Sequence, residues 1–476
     1  MTSAPNESHA VRLRGWRFLL AVVVAGVLAL FATPSLCREA AAPSEAASPA
    51  VAPEAPASAS PGRPAAAPEP SAGSPVTVEA LRKEATEVAA RLRRDYPLDI
   101  DPIALTGTVH HLLGNSEEAV TCWQECVRRD PGRADAYSGM AMIAFQKEQY
   151  QKAETLWRSA VERSPRVGGL RNGLARALLS QGKTEEAVEV LKQEVAMAPR
   201  ASFSHVLLGQ AYLQLKAYQK AKQHYQTAVS LRPDDWNAHD GLATVCDRLG
   251  QTDEAQRHRE TVKSLKAKGL PVSTGRPPAA DDLASLRDGV ARVHTAAGRF
   301  CHKRGNVDQA ERHWRRAAEI DPTNAACRVH LAALLKVDPA TTPEARRLYT
   351  ALQTIEPANP MHWLNAAIID VWAGRFDDAE RGFLHVRQLA PKRSLGCAGL
   401  AQLYLRANRK LPEAKALAEE AVKLEPAASN YAILSEACDK NGDLPGACAA
   451  MNRALELEPR NVRYRRILES LKRRVK

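Results

Sequence analysis

Apolar side chains recur along most of this chain at positions i, i+3, i+4 and i+7, the spacing that gathers them on one face of an α-helix. The stripes come in pairs, and the first of a pair often holds Leu followed by Ala or Gly, as in Leu174-Ala175. The second carries a small Ala with a bulky residue four positions later, as at Ala153 and Trp157. This pattern predicts pairs of amphipathic helices that approach most closely at the small residue.

The small alanine of the second stripe returns at a constant interval along the chain. The first series is Ala85, Ala119, Ala153, Ala187, Ala221 and Ala255. A second series, in which the interval varies by at most one position in either direction, is Ala310, Ala345, Ala379, Ala414 and Ala447. A period this long is typical of a stack of two-helix units, and such a stack grows by addition around no single central core.

Glycine and proline divide each unit at constant positions. A glycine often precedes the alanine by five residues, at Gly114, Gly182, Gly250, Gly305, Gly374 and Gly442. It predicts a turn of positive φ between the two helices. A proline usually follows the alanine by twelve residues and ends the second helix, because it has no N–H to donate. Asp235, Asn324 and Asn359 are then predicted N-caps of the helices that follow.

This unit resembles the tetratricopeptide repeat. The near-complete copies are residues 100–133, 134–167, 168–201 and 202–235, and less regular copies lie at 236–269, 291–324, 325–359, 360–393, 394–427 and 428–461. The resemblance implies an all-α fold, a right-handed superhelical solenoid of antiparallel helix pairs with a concave binding face. One N-terminal transmembrane or signal helix and a disordered linker are expected to precede it.

The N-terminal segments differ in composition from the repeats. Residues 18–37 carry no charge and are long enough to span a bilayer, with three arginines before them and Arg38 after them. We expect an uncleaved anchor, with a cleaved signal peptide as the alternative, and therefore a single-pass membrane protein whose repeat domain is exported. The predicted divisions are a cytoplasmic N-terminus at 1–17, the anchor or signal at 18–37, an Ala/Pro/Ser-rich linker at 38–75, a first array at 76–269, a linker or hinge at 270–282, a second array at 283–460 and a capping helix at 461–476.

No catalytic motif is found among these repeats. The chain has no P-loop, no strand-linked GxGxxG, no GxSxG elbow, no HExxH and no paired CxxC. The nine cysteines are odd in number and scattered, so we interpret most of them as small core residues. His110, His111 and His239 are interpreted as surface or groove histidines. We therefore expect no enzyme, no cofactor and no bound metal.

The resemblance assigns partner binding to the first helices of the repeats, which line the concave face. The predicted partner-binding residues are Arg292, Arg299, His302, Lys303, Lys336, Trp372, Phe145, Asn172 and Phe203. Thr295 is expected to lie within the basic stripe that begins at Arg292, and His362 beside Trp372. The repeats at 134–235 offer a more neutral groove. The alternative interpretation of the basic stripe, as ordinary solvated helix charge, stays open.

These features favour a non-catalytic interaction scaffold, tethered to the membrane, that binds proteins or peptides in its groove. The net charge of +12 favours acidic segments as partners, and neither a nucleic acid nor a small-molecule substrate is expected. The alternative is an envelope or secretion assembly factor, of the polysaccharide-export or cytochrome-maturation type, that binds its clients transiently.

Overall fold

The computed structural model describes residues 77–267, 282–336 and 340–475, and within them the chain forms 22 helices and no strand. These residues form two compact units that divide between Phe300 and Cys301. The N-terminal unit contains α1 (Val78–Asp95), α2 (Ile100–Leu112), α3 (Ser116–Arg129), α4 (Ala134–Gln146), α5 (Tyr150–Arg163), α6 (Leu170–Ser180), α7 (Thr184–Met197), α8 (Ser202–Gln214), α9 (Tyr218–Leu231), α10 (Trp236–Arg248), α11 (Thr252–Ala267) and most of α12 (Leu283–Lys303).

The C-terminal unit takes the last turn of α12 and ten further helices. They are α13 (Val307–Ile320), α14 (Ala325–Leu335), α15 (Thr342–Ile355), α16 (Pro360–Trp372), α17 (Phe376–Leu389), α18 (Leu395–Ala407), α19 (Leu411–Leu424), α20 (Ala428–Lys440), α21 (Leu444–Leu457) and α22 (Val462–Val475). In both units most successive helices pack against each other, and first helices of neighbouring repeats also touch. The all-α prediction of stacked helix pairs is confirmed.

The periodic alanines are core residues of the helix pairs. All eleven are completely buried. The large residue four positions later fills the space beside the alanine, and small residues on adjacent first helices make room for it. A Cβ added to Gly173 would lie 2.4 Å from Cε2 of Trp157, and one added to Gly399 would lie 2.4 Å from Cδ1 of Phe383. The size alternation along the repeat is therefore a packing requirement.

The turn between the two helices of a repeat needs one residue of positive φ. The six glycines predicted for this role have φ between 74° and 86°. Two repeats without that glycine place Glu148 and Lys216 there, both at φ 58°. The longer loop before α19 uses Asn408 at φ 49° and Lys410 at φ 51°. The conformation is thus set by the helix geometry, and glycine is only its least strained occupant.

The junctions between repeats have the predicted caps. The side chain of Asp235 accepts from the backbone N–H of Asn237, that of Asn324 from Cys327, and that of Asn359 from Met361. Each of these bonds satisfies one of the free N–H groups that begin a helix.

The carbonyl of the junction proline accepts a side-chain hydrogen bond in many repeats. The donor stands six residues after the proline in five junctions: Pro165 with Arg171 at 2.7 Å, Pro199 with His205 at 3.1 Å, Pro233 with His239 at 3.0 Å, Pro357 with Trp363 at 3.1 Å and Pro459 with Arg465 at 3.0 Å. In two earlier junctions an arginine of the following repeat reaches the carbonyl instead, from Arg129 to Pro97 and from Arg163 to Pro131. Junctions of one geometry are thus closed by donors of different chemistry.

Helices α22 and α12 each cover neighbouring helices of the unit that contains them. In α22, Leu468 and Leu471 are buried in a cluster with Met451, as expected of a capping helix, whereas Val462, predicted on the same side, is 55% exposed. Within the N-terminal unit, α12 lies against α1 and α2. Nε2 of His294 is 3.1 Å from Oε1 of Glu84, and a Cβ on Gly289 would meet Leu112 at 2.2 Å.

The cysteines behave as core residues. All eight cysteines within the described ranges are free thiols, and seven are buried. Burial is the main cause that raises the pKa of Cys126 to about 12 and the pKa values of Cys327 and Cys397 to about 11. Such thiols are protonated at neutral pH and poor nucleophiles.

The predicted location in a membrane is corrected by the structure. Across residues 77–267, 282–336 and 340–475, no helix is both long enough and apolar enough to cross a membrane. The segments at 1–17, 18–37 and 38–75 and most of the hinge at 270–282 lie outside the described residues. The prediction of a single-pass membrane protein with an exported repeat domain is therefore wrong for the structure described.

Candidate partner-binding grooves

The first helices α4, α6 and α8 pack side by side in the N-terminal unit. Phe145 on α4, Asn172 and Arg176 on α6, and Phe203 and Val206 on α8 occupy the repeat positions that were predicted to line a concave face. We call these five residues the aromatic groove. Phe145, Phe203 and Val206 are partly buried and pack on the main core cluster of this unit, so the groove floor is apolar and held in place.

Phe145 carries a cation on its ring. The Arg176 guanidinium carbon is 4.6 Å from the Phe145 ring centroid, and the same ring makes edge contacts with Tyr150 at 5.3 Å and Trp157 at 5.8 Å. Burial lowers the pKa of Arg176 from its ordinary value, although a guanidinium stays charged at neutral pH. A cation that has lost part of its water in this way gains from an anionic partner.

Asn172 adds a hydrogen-bond acceptor beside this cation. The residue is 9% exposed, and its Oδ1 is shielded from solvent and has no hydrogen-bond partner within the described part of the chain. A buried acceptor without a partner costs free energy, and an N–H of a bound segment could pair with this oxygen only once the Asn172 side chain turns towards solvent. Asn172 and Arg176 are one helical turn apart on α6, so they lie close together on the same side of that helix.

In the C-terminal unit the predicted groove positions hold His302, Lys303, Lys336 and Trp372, and we call these four residues the basic groove. His302 is exposed and its ring centroid is 5.6 Å from that of Trp314. Nζ of Lys336 is 3.5 Å from Oδ1 of Asn365, and burial lowers the pKa of Lys336. Lys440 stands in a later repeat at the position equivalent to that of Lys303. It donates to the carbonyl of Leu405 at 2.5 Å. Sequence reasoning missed Lys440, whose signal is its register with Lys303.

Comparison with known families agrees with this architecture. The family model described as tetratricopeptide repeat matches residues 113–167, 138–202, 172–235, 206–256 and 399–462, and a second model of the same description matches 291–316. The matched segments of this chain are tetratricopeptide repeats. No curated protein matches it.

Several solved structures resemble parts of this tetratricopeptide repeat protein. A MamA protein from Desulfovibrio magneticus RS-1 is 22% identical, with 40% of this chain and 98% of that chain covered and a TM-score of 0.32. A structure titled YrrB, a TPR protein with an unusual peptide-binding site, is 15% identical, with 39% and 96% covered and a TM-score of 0.34. Neither likeness bears on which partner this chain binds.

The predicted basic stripe of the tetratricopeptide repeat protein lies on the single helix α12, whose last turn falls in the C-terminal unit. Arg292 and Arg299 belong to the N-terminal unit, whereas His302 and Lys303 belong to the C-terminal unit. Arg292 is exposed and pairs with Asp288 at 3.0 Å, so an acidic side chain lies one helical turn from the first residue of the stripe. Thr295 was expected to line it, but it is buried and donates to the carbonyl of Ala291.

Three histidines have environments that differ from the sequence interpretation. His362 is buried and its Nε2 is 2.7 Å from Oε2 of Glu356, so it does not line the groove beside Trp372. His111 is half-buried, and its pKa is lowered by burial and then by the charge of Arg292.

His239 is also buried, and it belongs to a repeated arrangement that the sequence interpretation missed. Its Nδ1 is 3.0 Å from Nδ1 of His258, and one repeat earlier His205 and His224 are joined in the same way at 3.1 Å. The available signal was that the interval of the periodic alanines also separates His205 from His239 and His224 from His258.

Proposed function

We propose that this protein is a non-catalytic interaction scaffold that binds a segment of another protein in the aromatic groove of its N-terminal unit. The observation that carries the proposal is the Arg176 guanidinium stacked on Phe145, with the unpartnered Oδ1 of Asn172 one turn away. Together they offer an apolar surface, a positive charge and an acceptor within one short stretch of groove.

The chemistry of the groove favours a particular kind of segment. Phe145, Phe203 and Val206 would contact an apolar side chain, Arg176 would attract a carboxylate, and Asn172 would accept from a backbone N–H. We therefore propose a segment that pairs an apolar residue with an acidic one. Aromatic and arginine side chains are the residues that most often dominate binding energy at interfaces.

The aromatic groove is preferred to the basic groove for a physical reason. His302 and Lys303 are exposed, and exposed charges contribute little net affinity because water already solvates them. Arg176 and Asn172 are partly or fully desolvated before any partner binds, so the desolvation cost of contacting them has already been met by folding.

The test begins with selection of peptides from a displayed random library on the immobilised full chain, followed by calorimetric titration of the best sequence. We expect the selected peptides to contain an acidic residue next to an apolar one. Phe145→Ala and Arg176→Glu should each weaken binding by about 30-fold, the loss typical of a dominant interface residue.

The matched control is Lys152→Glu, an equal charge reversal at an exposed position on the second helix α5, with no change in affinity expected. Lys303→Glu with Lys336→Glu tests the basic groove. Loss of binding in that double variant, with Arg176→Glu unchanged, would contradict the proposal and assign binding to the C-terminal unit.

A further inference from the structure

Two neighbouring repeats of the N-terminal unit contain the same buried histidine pair. His205 on α8 meets His224 on α9, and His239 on α10 meets His258 on α11, with Nδ1–Nδ1 distances of 3.1 and 3.0 Å. His205 and His239 are each more than 90% buried. The partners on the second helices are half-buried, so one face of each pair is accessible to protons from water.

The proton positions in each neutral pair follow from the hydrogen bonds. Nε2 of His205 contacts the carbonyl of Pro199 and Nε2 of His239 that of Pro233, and because a carbonyl only accepts, each Nε2 carries the hydrogen. Nδ1 of the same neutral ring is then an acceptor. The second-helix histidine must therefore donate from its Nδ1, which leaves its own Nε2 as the site for an additional proton.

These bonds close a junction between repeats. Each first-helix histidine joins the end of the preceding repeat, through the proline carbonyl, to the second helix of its own repeat. In other junctions the donor to that carbonyl is Arg171, Trp363 or Arg465, none of which changes charge near neutral pH. In the described repeats, the six-residue donor is a histidine only at Pro199 and Pro233.

We propose that the two histidine pairs are proton-sensitive latches, which hold residues 202–267 in register when neutral and loosen them on acidification. The added proton binds to Nε2 of His224 or His258 and leaves the Nδ1–H···Nδ1 bond in place. The charge that this proton adds is poorly solvated while the junction is closed, so the protonated pair favours an opened junction in which water reaches the imidazolium. The bond between first and second helix is then lost.

The surroundings of the pairs oppose protonation in the closed state. Burial and then the facing imidazole lower the pKa of His224, and the same two causes dominate for His258. Beside the first pair stand Tyr212, stacked on His224 at 5.5 Å, and Lys220 over the Tyr212 ring. Beside the second pair Arg257 and Lys222 add to the lowering, and only Glu254, itself held by Lys222 at 2.7 Å, opposes it.

The direction of the pH effect follows from linkage. A histidine whose pKa is below its ordinary 6.5 when the junction is closed binds more protons when the junction is open. The stabilisation is therefore complete above about pH 6.5 and is lost as the pH falls through the lowered pKa values. Acid should loosen α8 to α11 before it affects the repeats at 100–167.

The experiment is amide hydrogen exchange on the full chain at pH 7.5 and 5.5, with rates corrected for the intrinsic pH dependence of exchange. We expect protection in α8 to α11 to fall at least tenfold at the lower pH, while α3 to α6 change less than twofold. The chain supplies a non-titrating replacement, because Arg171 caps Pro165 in the same register and Val190 stands where His224 and His258 stand one and two repeats later.

The variant therefore carries His205→Arg, His224→Val, His239→Arg and His258→Val. It should keep its protection at pH 5.5. An equal pH-dependent loss in wild type and variant, or no loss in wild type, would overturn the proposal.

If the fourfold variant does not fold, nitrogen-15 shifts of the imidazoles in the wild-type chain decide the matter. The proposal requires Nε2-protonated neutral rings for His205 and His239, and titration midpoints below 6.5 for His224 and His258. Ordinary midpoints for both would contradict it.

Discussion

The N-terminal and C-terminal units are built from the same repeat but bury their polar groups differently. In the N-terminal unit, histidine pairs close two junctions. In the C-terminal unit, the buried carboxylate of Asp370 is held by Arg346 at 2.9 Å and Arg375 at 2.7 Å. Buried polar groups need hydrogen-bond or ion-pair partners, but the repeat geometry does not specify which residues supply them. The choice decides how each unit responds to mutation and to pH.

The largest expected effect is the loss of the Asp370 carboxylate. Asp370→Ala leaves two guanidinium groups without their buried partner and should destabilise the C-terminal unit by about 3–5 kcal/mol. Exchange protection in α15, α16 and α17 should fall, with α8 to α11 unchanged. The control Asp377→Ala removes a carboxylate that is 81% exposed and should cost less than about 0.5 kcal/mol. Equal losses in both variants would show that burial of the ion pair is not decisive.

A second, smaller effect should be the same in both units. Gly173→Ala and Gly399→Ala each force a Cβ against a buried aromatic ring at 2.4 Å and should each cost about 1–3 kcal/mol. Denaturant titration measures both. In the control Gly168→Ala the nearest atom is Oε1 of Glu194 at 3.6 Å, an ordinary contact, so a change within about 0.5 kcal/mol is expected. A large cost at only one of the two aromatic sites would mean that the units do not share one packing rule.

The pH dependence of the free energy of unfolding distinguishes carboxylates from histidines, because the two kinds of group lose their contribution in different pH ranges. Burial would raise the pKa of Glu154, but hydrogen bonds from Lys183, Arg158 and Gln181 outweigh it and lower the pKa to about 2. A carboxylate with a depressed pKa stabilises above its ordinary value of 4.5 and loses that contribution as the pH falls towards 2. Glu154→Gln should therefore flatten the pH dependence of unfolding below pH 4.5 and leave the dependence between 7.5 and 5.5 unchanged. A change confined to the upper window would contradict this assignment.

The smallest effect is expected at the helix caps, where the units are alike. Asp235→Ala and Asn359→Ala each remove a side-chain acceptor for one backbone N–H and should each cost about 1 kcal/mol. Thermal unfolding of both variants gives the comparison. Asp235→Asn keeps the acceptor and should restore most of the loss at that position.

Local features of the repeat were predictable from the sequence, because each depends on neighbours within one unit. The alanine joints, the glycine turns and the three N-caps follow from size, positive φ and side-chain acceptors at fixed positions. Contacts between distant segments were not predictable. Period alone does not say that the first part of α12 packs against Glu84 and Leu112, and this contact is what placed Arg292 in the N-terminal unit.

The burial of polar residues was the other feature that the sequence did not predict. Thr295, His239 and His362 stand at positions where polarity suggested a solvent-facing groove, yet each finds a hydrogen-bond partner inside the fold. A single polar residue on a helix is compatible with either environment, because its cost of burial depends on partners from other helices. The two histidine pairs carried a signal only in the interval that they share with the periodic alanines.

The most direct test of the account is photo-cross-linking of a selected peptide from defined positions in the aromatic groove. Benzoylphenylalanine would replace Phe203, and in a matched control it would replace Gln223, an exposed residue on the second helix α9. Binding in the aromatic groove predicts a cross-link from position 203, lost on addition of excess unlabelled peptide, and none from position 223. A cross-link from 223 alone, or equal yields from both positions, would contradict the assignment of the groove.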